Sequence, residues 1–218
     1  MIQAEHSTRK ELEKLLENLT GVATMIPGTL HLLYNIRFQF EILKTNKKKL
    51  SFHRQNDLRL CKELTTRATK GLDLNHLVKR APNFTLYADA CNMGIEGVWC
   101  DGTAFAFDIA RTPLENLHIN ILEAIALIVG IMELSTRATL KLTRLHGFGD
   151  SMSALAWLKS AATGSFISKI VARELEKLIA RLDISLQSKH IAGISNWLAD
   201  QLSRNAHLTC SESTYYFI

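Results

Sequence analysis

The chain has 218 residues, 47% hydrophobic and 22% charged, with a formal net charge of +5 at pH 7. Those values exclude a disordered or low-complexity protein, and the length allows one substantial core, or one ordinary domain with a helical appendage. The charge is uneven: residues 1–83 hold 15 Lys+Arg against 8 Asp+Glu, net +7, and residues 84–218 hold 11 against 13, net −2.

A basic first third suits a polyanionic partner, although "KTNKKK" taken alone reads equally well as a solvated loop. The N-terminus lacks the apolar block of a secretory signal. The apolar run "INILEAIALIVGIM" is expected to be too short to cross a bilayer and to form a buried core helix, so no membrane partner is expected. Cys61, Cys91, Cys100 and Cys210 show neither CxxC spacing nor disulfide-rich density. They are expected to be reduced thiols of a cytosolic or nuclear chain, without zinc.

In chain order, residues 8–25 predict an amphipathic helix, with Thr8 and Glu11 as a capping box and Leu12, Leu15, Leu16 and Leu19 at helical spacing. Pro27-Gly28 ends it, a second helix covers 29–43, and a third runs from about Ser51 to Lys70. After Pro82 the texture turns strand-like. "FTLYADA" alternates Phe84, Leu86 and Ala88 against Thr85, Tyr87 and Asp89; "GIEGVWC" and "TAFAFDIA" follow, joined by the hairpin signal Asp101-Gly102. A helix over 115–136, a strand over 139–149, helices at 151–161 and 165–181, a strand in "DISLQSKHIA" and a helix at 194–204 complete the pattern. The expected fold class is α/β, a mixed five-stranded sheet of three antiparallel strands and parallel additions, flanked by helices.

Four carboxylates stand out. Asp89 lies opposite the apolar face of its strand, Glu123 sits on the apolar helix, Asp150 follows a strand end, and Asp200 lies on the last helix. Each has a plain alternative: Asp150 as a helix N-cap, Asp89 as an edge charge, Asp200 as a surface residue. Glu123 is the hardest to dismiss, because a helix hydrophobic all round is buried and an isolated ionised carboxylate there is costly. If the first and fourth strands lie side by side, the four acids converge and repel one another. Hard divalent cations such as Mg²⁺ remove that cost, and a pair of them is the machinery of in-line phosphodiester displacement.

"LYADACNMGIEGVW", "INILEAIAL", "GDSMSALAWL" and "KHIAGISNWLADQLSR" together resemble the successive acidic blocks of type 1 RNase H. The resemblance is strongest to the RNase H domain of retroelement reverse transcriptases of the DIRS and LTR kinds. The last block is the most specific, with His190, Gly193, Asn196 and Asp200 in the spacing H-x-x-G-x-x-N-x-x-x-D.

The resemblance implies two Mg²⁺ (or Mn²⁺) ions on Asp89, Glu123, Asp150 and Asp200, and hydrolysis of the RNA strand of an RNA/DNA hybrid. It implies that His190 assists proton transfer or product departure, unless it is simply a polar residue closing a strand. Ser151 and Asn196 are candidate substrate contacts, and Asn196 more naturally braces its loop or caps the last helix. Trp197 is expected in the core, and Cys91 stands where Ser or Gly is common.

"LEKLLENLTGVATMIPG" is similar to the thumb or connection segment preceding RNase H in these polyproteins. The implied organisation is a helical segment at 1–82, an RNase H-like domain at 83–206 and a tail at 207–218. The polymerase signature Y-x-D-D is absent, so a fragment or a separate reading frame is expected, with the polymerase part of a reverse transcriptase as a candidate partner. The alternatives are a catalytically inactive remnant that binds nucleic acid or a polymerase partner, and a transposase or integrase core, which Glu123 on the first helix disfavours.

Overall fold

A computed structural model describes residues 6–7, 9–23, 33, 48–49, 52–71, 80–159, 165–201 and 216–217. The chain divides into two compact units, Met1–Val78 and Lys79–Ile218.

In the first unit, strand β1 (His6–Ser7) pairs antiparallel with β2 (Lys48–Lys49), so two lysines of the expected loop are backbone-paired. Helix α1 spans Arg9–Ala23 and buries Leu16 of its apolar stripe. Helix α2 spans Phe52–Thr69 and buries Asp57, Cys61 and Leu64. Burial, with the Asp57 charge, pushes the Cys61 thiol up to about 12, so it packs as an inert apolar group. Thr8, Pro27-Gly28 and all of the expected 29–43 helix except helical Leu33 lie outside the described residues.

The second unit is built on β3 (Phe84–Ala90), β4 (Gly94–Trp99) and β5 (Thr103–Asp108), an antiparallel meander as expected. Gly102 turns the second hairpin at φ +82°, where a side chain is disfavoured, and donates its N–H to the Trp99 carbonyl at 2.9 Å. Helix α3 (Ile119–Arg137) follows, then β6 (Arg144–Gly149), α4 (Met152–Lys159), α5 (Phe166–Leu182) and β7 (Ser185–His190). A 3₁₀ turn at Gly193–Ser195 leads to a helix, α6, described at 197–201. β6 pairs parallel with β3, and β7 parallel with β6. Strand β8 (Tyr216–Phe217), in the stretch expected as a tail, pairs antiparallel with β5, so the sheet order is β7-β6-β3-β4-β5-β8.

The strand expected over 139–149 is shorter at its start. Leu142 takes a left-handed conformation at φ +60°, and Thr143 N–H closes a turn on the Leu140 carbonyl at 3.0 Å. The Leu142 N–H bonds to the Asp183 carbonyl instead of joining a ladder.

Helix α3 is the centre of the core. Its face of Ile121, Leu122, Ala124, Leu127, Ile131 and Leu134 is buried, and it packs on β3 and β4. Gly130 and Gly97 let it approach closely: a Cβ at Gly130 would collide with Leu86, and one at Gly97 would lie 2.5 Å from the Phe105 ring. The helix has 19 residues and, by length and composition alone, is long and apolar enough to span a bilayer, which corrects the expectation that the run is too short. Its burial against the sheet makes it a core helix.

Candidate active site

The pairing of β3 with β6 places the ends of two parallel strands side by side, with α3 packed over them. In an open sheet with helical crossovers, that edge is where backbone groups and loops are free to meet a ligand. Asp89 is the penultimate residue of β3, Asp150 the first residue past β6, and Glu123 lies one turn into α3. Each of the three offers a carboxylate oxygen within 4.8 Å of the others. Asp89 and Glu123 are buried and Asp150 is half-buried.

The electrostatics follow. Burial, reinforced by the charges of Asp89 and Asp150, pushes the Glu123 carboxyl up to about 9; a hydrogen bond from the Ala90 backbone N–H opposes the rise. Asp200 also raises it, as the last of these causes. Asp200 is therefore near enough for its charge to be felt, yet it stands outside the three-oxygen group. The structure brings three of the four expected ligands into mutual reach.

The residues around the acids hold them from both sides. Asn196, 2% exposed, donates from Nδ2 to the Ala88 carbonyl at 3.1 Å and to Asp89 Oδ1 at 3.5 Å. Its backbone carbonyl accepts from the Asp200 N–H at 3.0 Å, so one residue braces β3 and starts α6. The expected brace and cap role accounts for both contacts, and burial keeps this side chain from a substrate in the arrangement seen. Its buried Oδ1 has no hydrogen-bond partner among the described residues. Gly193 lies against Asp150: a Cβ there would sit 3.1 Å from Oδ2.

Ser151 caps α4. Its hydroxyl accepts from the Ala154 N–H at 3.1 Å, and its carbonyl accepts from the Leu155 N–H at 3.1 Å. The cap position beside Asp150 is thus filled by the next residue, which leaves the Asp150 carboxylate to the cluster. The Ser151 hydroxyl also lies 3.2 Å from Asn120 Oδ1, linking the first turn of α3 to the end of β6. His190 ends β7 opposite Gly149 and is exposed, with the next N–H, that of Ile191, bonded to the Gly149 carbonyl at 3.1 Å. It stands beside the strand end that carries Asp150, outside the oxygen group.

One placement differs from the sequence reading: Trp197 is 57% exposed, not core, because α6 turns Asn196 and Ala199 inward and the indole outward. Glu96, which the sequence did not single out, is 0% exposed and pairs in register with Asp89. β4 is buried along its whole length, so alternation there no longer separates core from solvent. Cys61, Cys91 and Cys100 are free thiols, and Cys91 Sγ accepts from the Met93 N–H at 3.3 Å; Cys210 lies outside the described residues.

An all-oxygen set of this kind fits a hard divalent cation: three carboxylates in mutual reach, one too buried to ionise readily alone. A thiolate- or imidazole-preferring metal would find no such donor in the group.

The sequence matches no family model and no curated protein. Among solved structures, the chain is similar to the N-terminal RNase H domain of a Mycobacterium tuberculosis protein, solved as a fusion with maltose-binding protein. The identity is 13%, over 56% of this chain and 96% of that one, with a TM-score of 0.37. It is similar to RNase H1 from the halophilic archaeon Halobacterium salinarum at 13% identity, over 58% of this chain and 97% of that one, with a TM-score of 0.40. The dRH form of a foamy viral protease-reverse transcriptase in complex with double-stranded DNA matches at 11% identity, over 84% of this chain and 32% of that one, with a TM-score of 0.30. By its own strand order the second unit is a mixed sheet, an antiparallel meander with two parallel additions, flanked by helices.

Proposed function

We propose that the chain is a divalent-cation-dependent nuclease that hydrolyses the RNA strand of RNA/DNA hybrids. The observation that carries this is the meeting of Asp89, Glu123 and Asp150 oxygens within 4.8 Å, drawn from three elements far apart in sequence. Such a cluster is unfavourable by itself, as the raised Glu123 carboxyl records. Mg²⁺ or Mn²⁺ on these residues, with Asp200 as a fourth ligand at the edge, would supply the charge that ionises Glu123, activates the attacking water and stabilises the leaving oxygen.

The chain's own residues do the rest. Asn196 fixes Asp89, Gly193 leaves room for the Asp150 carboxylate, and Ser151 caps α4 so that Asp150 need not. Water attacks the phosphorus, the P–O3′ bond breaks, and the departing oxygen takes a proton, leaving a 3′-hydroxyl and a 5′-phosphate. His190, exposed beside the end of β6, would carry a proton to or from solvent. Recognition of the hybrid rests on backbone shape and 2′-hydroxyls, so it is nearly independent of sequence and weakens with salt. The basic 1–83 segment, read as a thumb or connection piece of a retroelement reverse transcriptase, would add phosphate contacts.

The test is cleavage of an RNA-labelled hybrid by the whole chain under a titration of Mg²⁺ or Mn²⁺. Asp150→Asn is expected to lower the rate by on the order of 100-fold or more while leaving hybrid binding in place. Cleavage by the variant equal to that of the parent refutes the assignment.

A further inference from the structure

The large apolar side chains left exposed around the acids follow a pattern. Met93 lies in the β3–β4 turn, soon after Asp89, and Met152 opens α4 just past Asp150. Ile194 and Trp197, 87% and 57% exposed, flank Asn196 in the segment leading into α6. Single exposed apolar groups are ordinary on any surface. These four sit on the segments that carry the carboxylates or touch them.

The last segment is pinned to the acids at two points. Asn196 Nδ2 reaches Asp89 Oδ1 at 3.5 Å, and Gly193 lies against Asp150 Oδ2. With Gly193 and Asn196 turned toward the acids, their chain neighbours Ile194 and Trp197 are turned to solvent beside them. The exposed indole is thus carried by the residue next to Asn196, on a stretch of backbone held to the acids at Gly193 and Asn196.

We infer that Trp197, with Ile194 next to it, is a substrate-positioning surface: the indole packs on the sugar and base edges of nucleotides adjoining the phosphate that the carboxylates address. The inference rests on the nuclease reading, which requires a phosphodiester at the acids and so brings the sugars on either side of it to their rim. A flat apolar ring with one N–H donor matches a sugar and a base edge, and such contacts tolerate any sequence. This is the complement of phosphate contacts, which supply affinity without fixing the height of the strand over the acids.

The test uses the whole chain and a short RNA/DNA hybrid, with Ca²⁺ for binding and Mg²⁺ for turnover. Of the chain's three tryptophans, Trp99 is buried and Trp157 is packed against the core, so Trp197 is the exposed fluorophore. Trp197→Ala is expected to raise KM by on the order of 10-fold with kcat changed by less than about 3-fold, and Trp197→Phe to recover most of the loss. The hybrid should quench the parent's emission, and Trp197→Phe should lack that quench. Ile194→Ser should raise KM in the same direction, which keeps the test independent of any effect of Trp197→Ala on folding.

If the parent cleaves the hybrid while Trp197→Ala keeps its KM and the emission is unmoved by substrate, the inference is overturned and the nuclease reading stands. If the parent neither binds nor cleaves the hybrid, both fall. Unchanged KM with loss of self-association in Trp197→Ala would assign the surface to a second copy of the chain and also overturn the inference.

Discussion

Replacing Glu123 by Gln should stabilise the cation-free protein at neutral pH. The folded protein holds this carboxyl at about 9, against an ordinary value of 4.5, because it is buried beside Asp89 and Asp150. Between those values the folded state binds the proton more tightly than the unfolded chain does, so stability falls as pH rises through the window. At pH 7 the window has been crossed for about 2.5 units, equivalent to roughly 3 kcal/mol at 1.36 kcal/mol per unit. Glutamine cannot ionise, keeps the shape, and still accepts from the Ala90 N–H, so Glu123→Gln escapes the loss. For a chain of this length the gain corresponds to a melting temperature roughly 6–12 °C higher in chelator at pH 7. The difference should shrink to nothing below the ordinary carboxyl value of 4.5, where the carboxyl is neutral in the folded and the unfolded chain alike. Added Mg²⁺ should stabilise the parent more than the variant, since ligand binding to the folded state is linked to stability. Thermal unfolding followed by circular dichroism from acid to alkaline pH, with and without Mg²⁺, measures all of this. A variant no more stable than its parent in chelator at pH 7, or a difference independent of pH, would refute the proposed burial and crowding of Glu123.

Asn196→Ala removes the donor to Ala88 O and Asp89 Oδ1 and should cost about 1–3 kcal/mol in denaturant unfolding. It should also raise the Mg²⁺ concentration needed for half-maximal rate; an unchanged metal requirement would mean that the brace is structural alone. Gly193→Ala puts a methyl 3.1 Å from Asp150 Oδ2, so metal titration should show weaker activation with little change in melting temperature. Ser151→Ala deletes the α4 cap and should destabilise by ~1 kcal/mol with the cleavage rate per folded molecule unchanged. A rate falling well beyond the loss of folded protein would instead give that hydroxyl a part in substrate contact.

Local pattern was enough for much of this protein. Period-two alternation marked β3, the Asp101-Gly102 turn marked the β4–β5 hairpin, and helical spacing marked α1. The unbroken apolar run around Glu123 marked the central helix, because a charged group in such a run must be buried with it. The order of strands and helices allowed β3 and β6 to be neighbours, and from that the convergence of Asp89, Glu123 and Asp150 could be expected. The H-x-x-G-x-x-N-x-x-x-D spacing picked out Gly193 and Asn196, with a bracing task expected for Asn196 but none for Gly193.

What remained was decided by contacts between segments distant in the chain. Nothing in GIEGVWC singles out Glu96, yet it is buried, in a strand buried along its whole length. Trp197 looks like core by composition, yet the inward turn of Asn196 toward Asp89 sends the indole outward. Sequence offered both Asp150 and Ser151 beside the start of α4, and the Ala154 N–H bonds to Ser151 Oγ. Asp200 stands outside the three-oxygen group, at the start of α6, where its N–H bonds to the Asn196 carbonyl. Sequence periodicity reports which way a side chain faces along its own element; which element covers that face, and how close two carboxylates come, is a property of the packed whole.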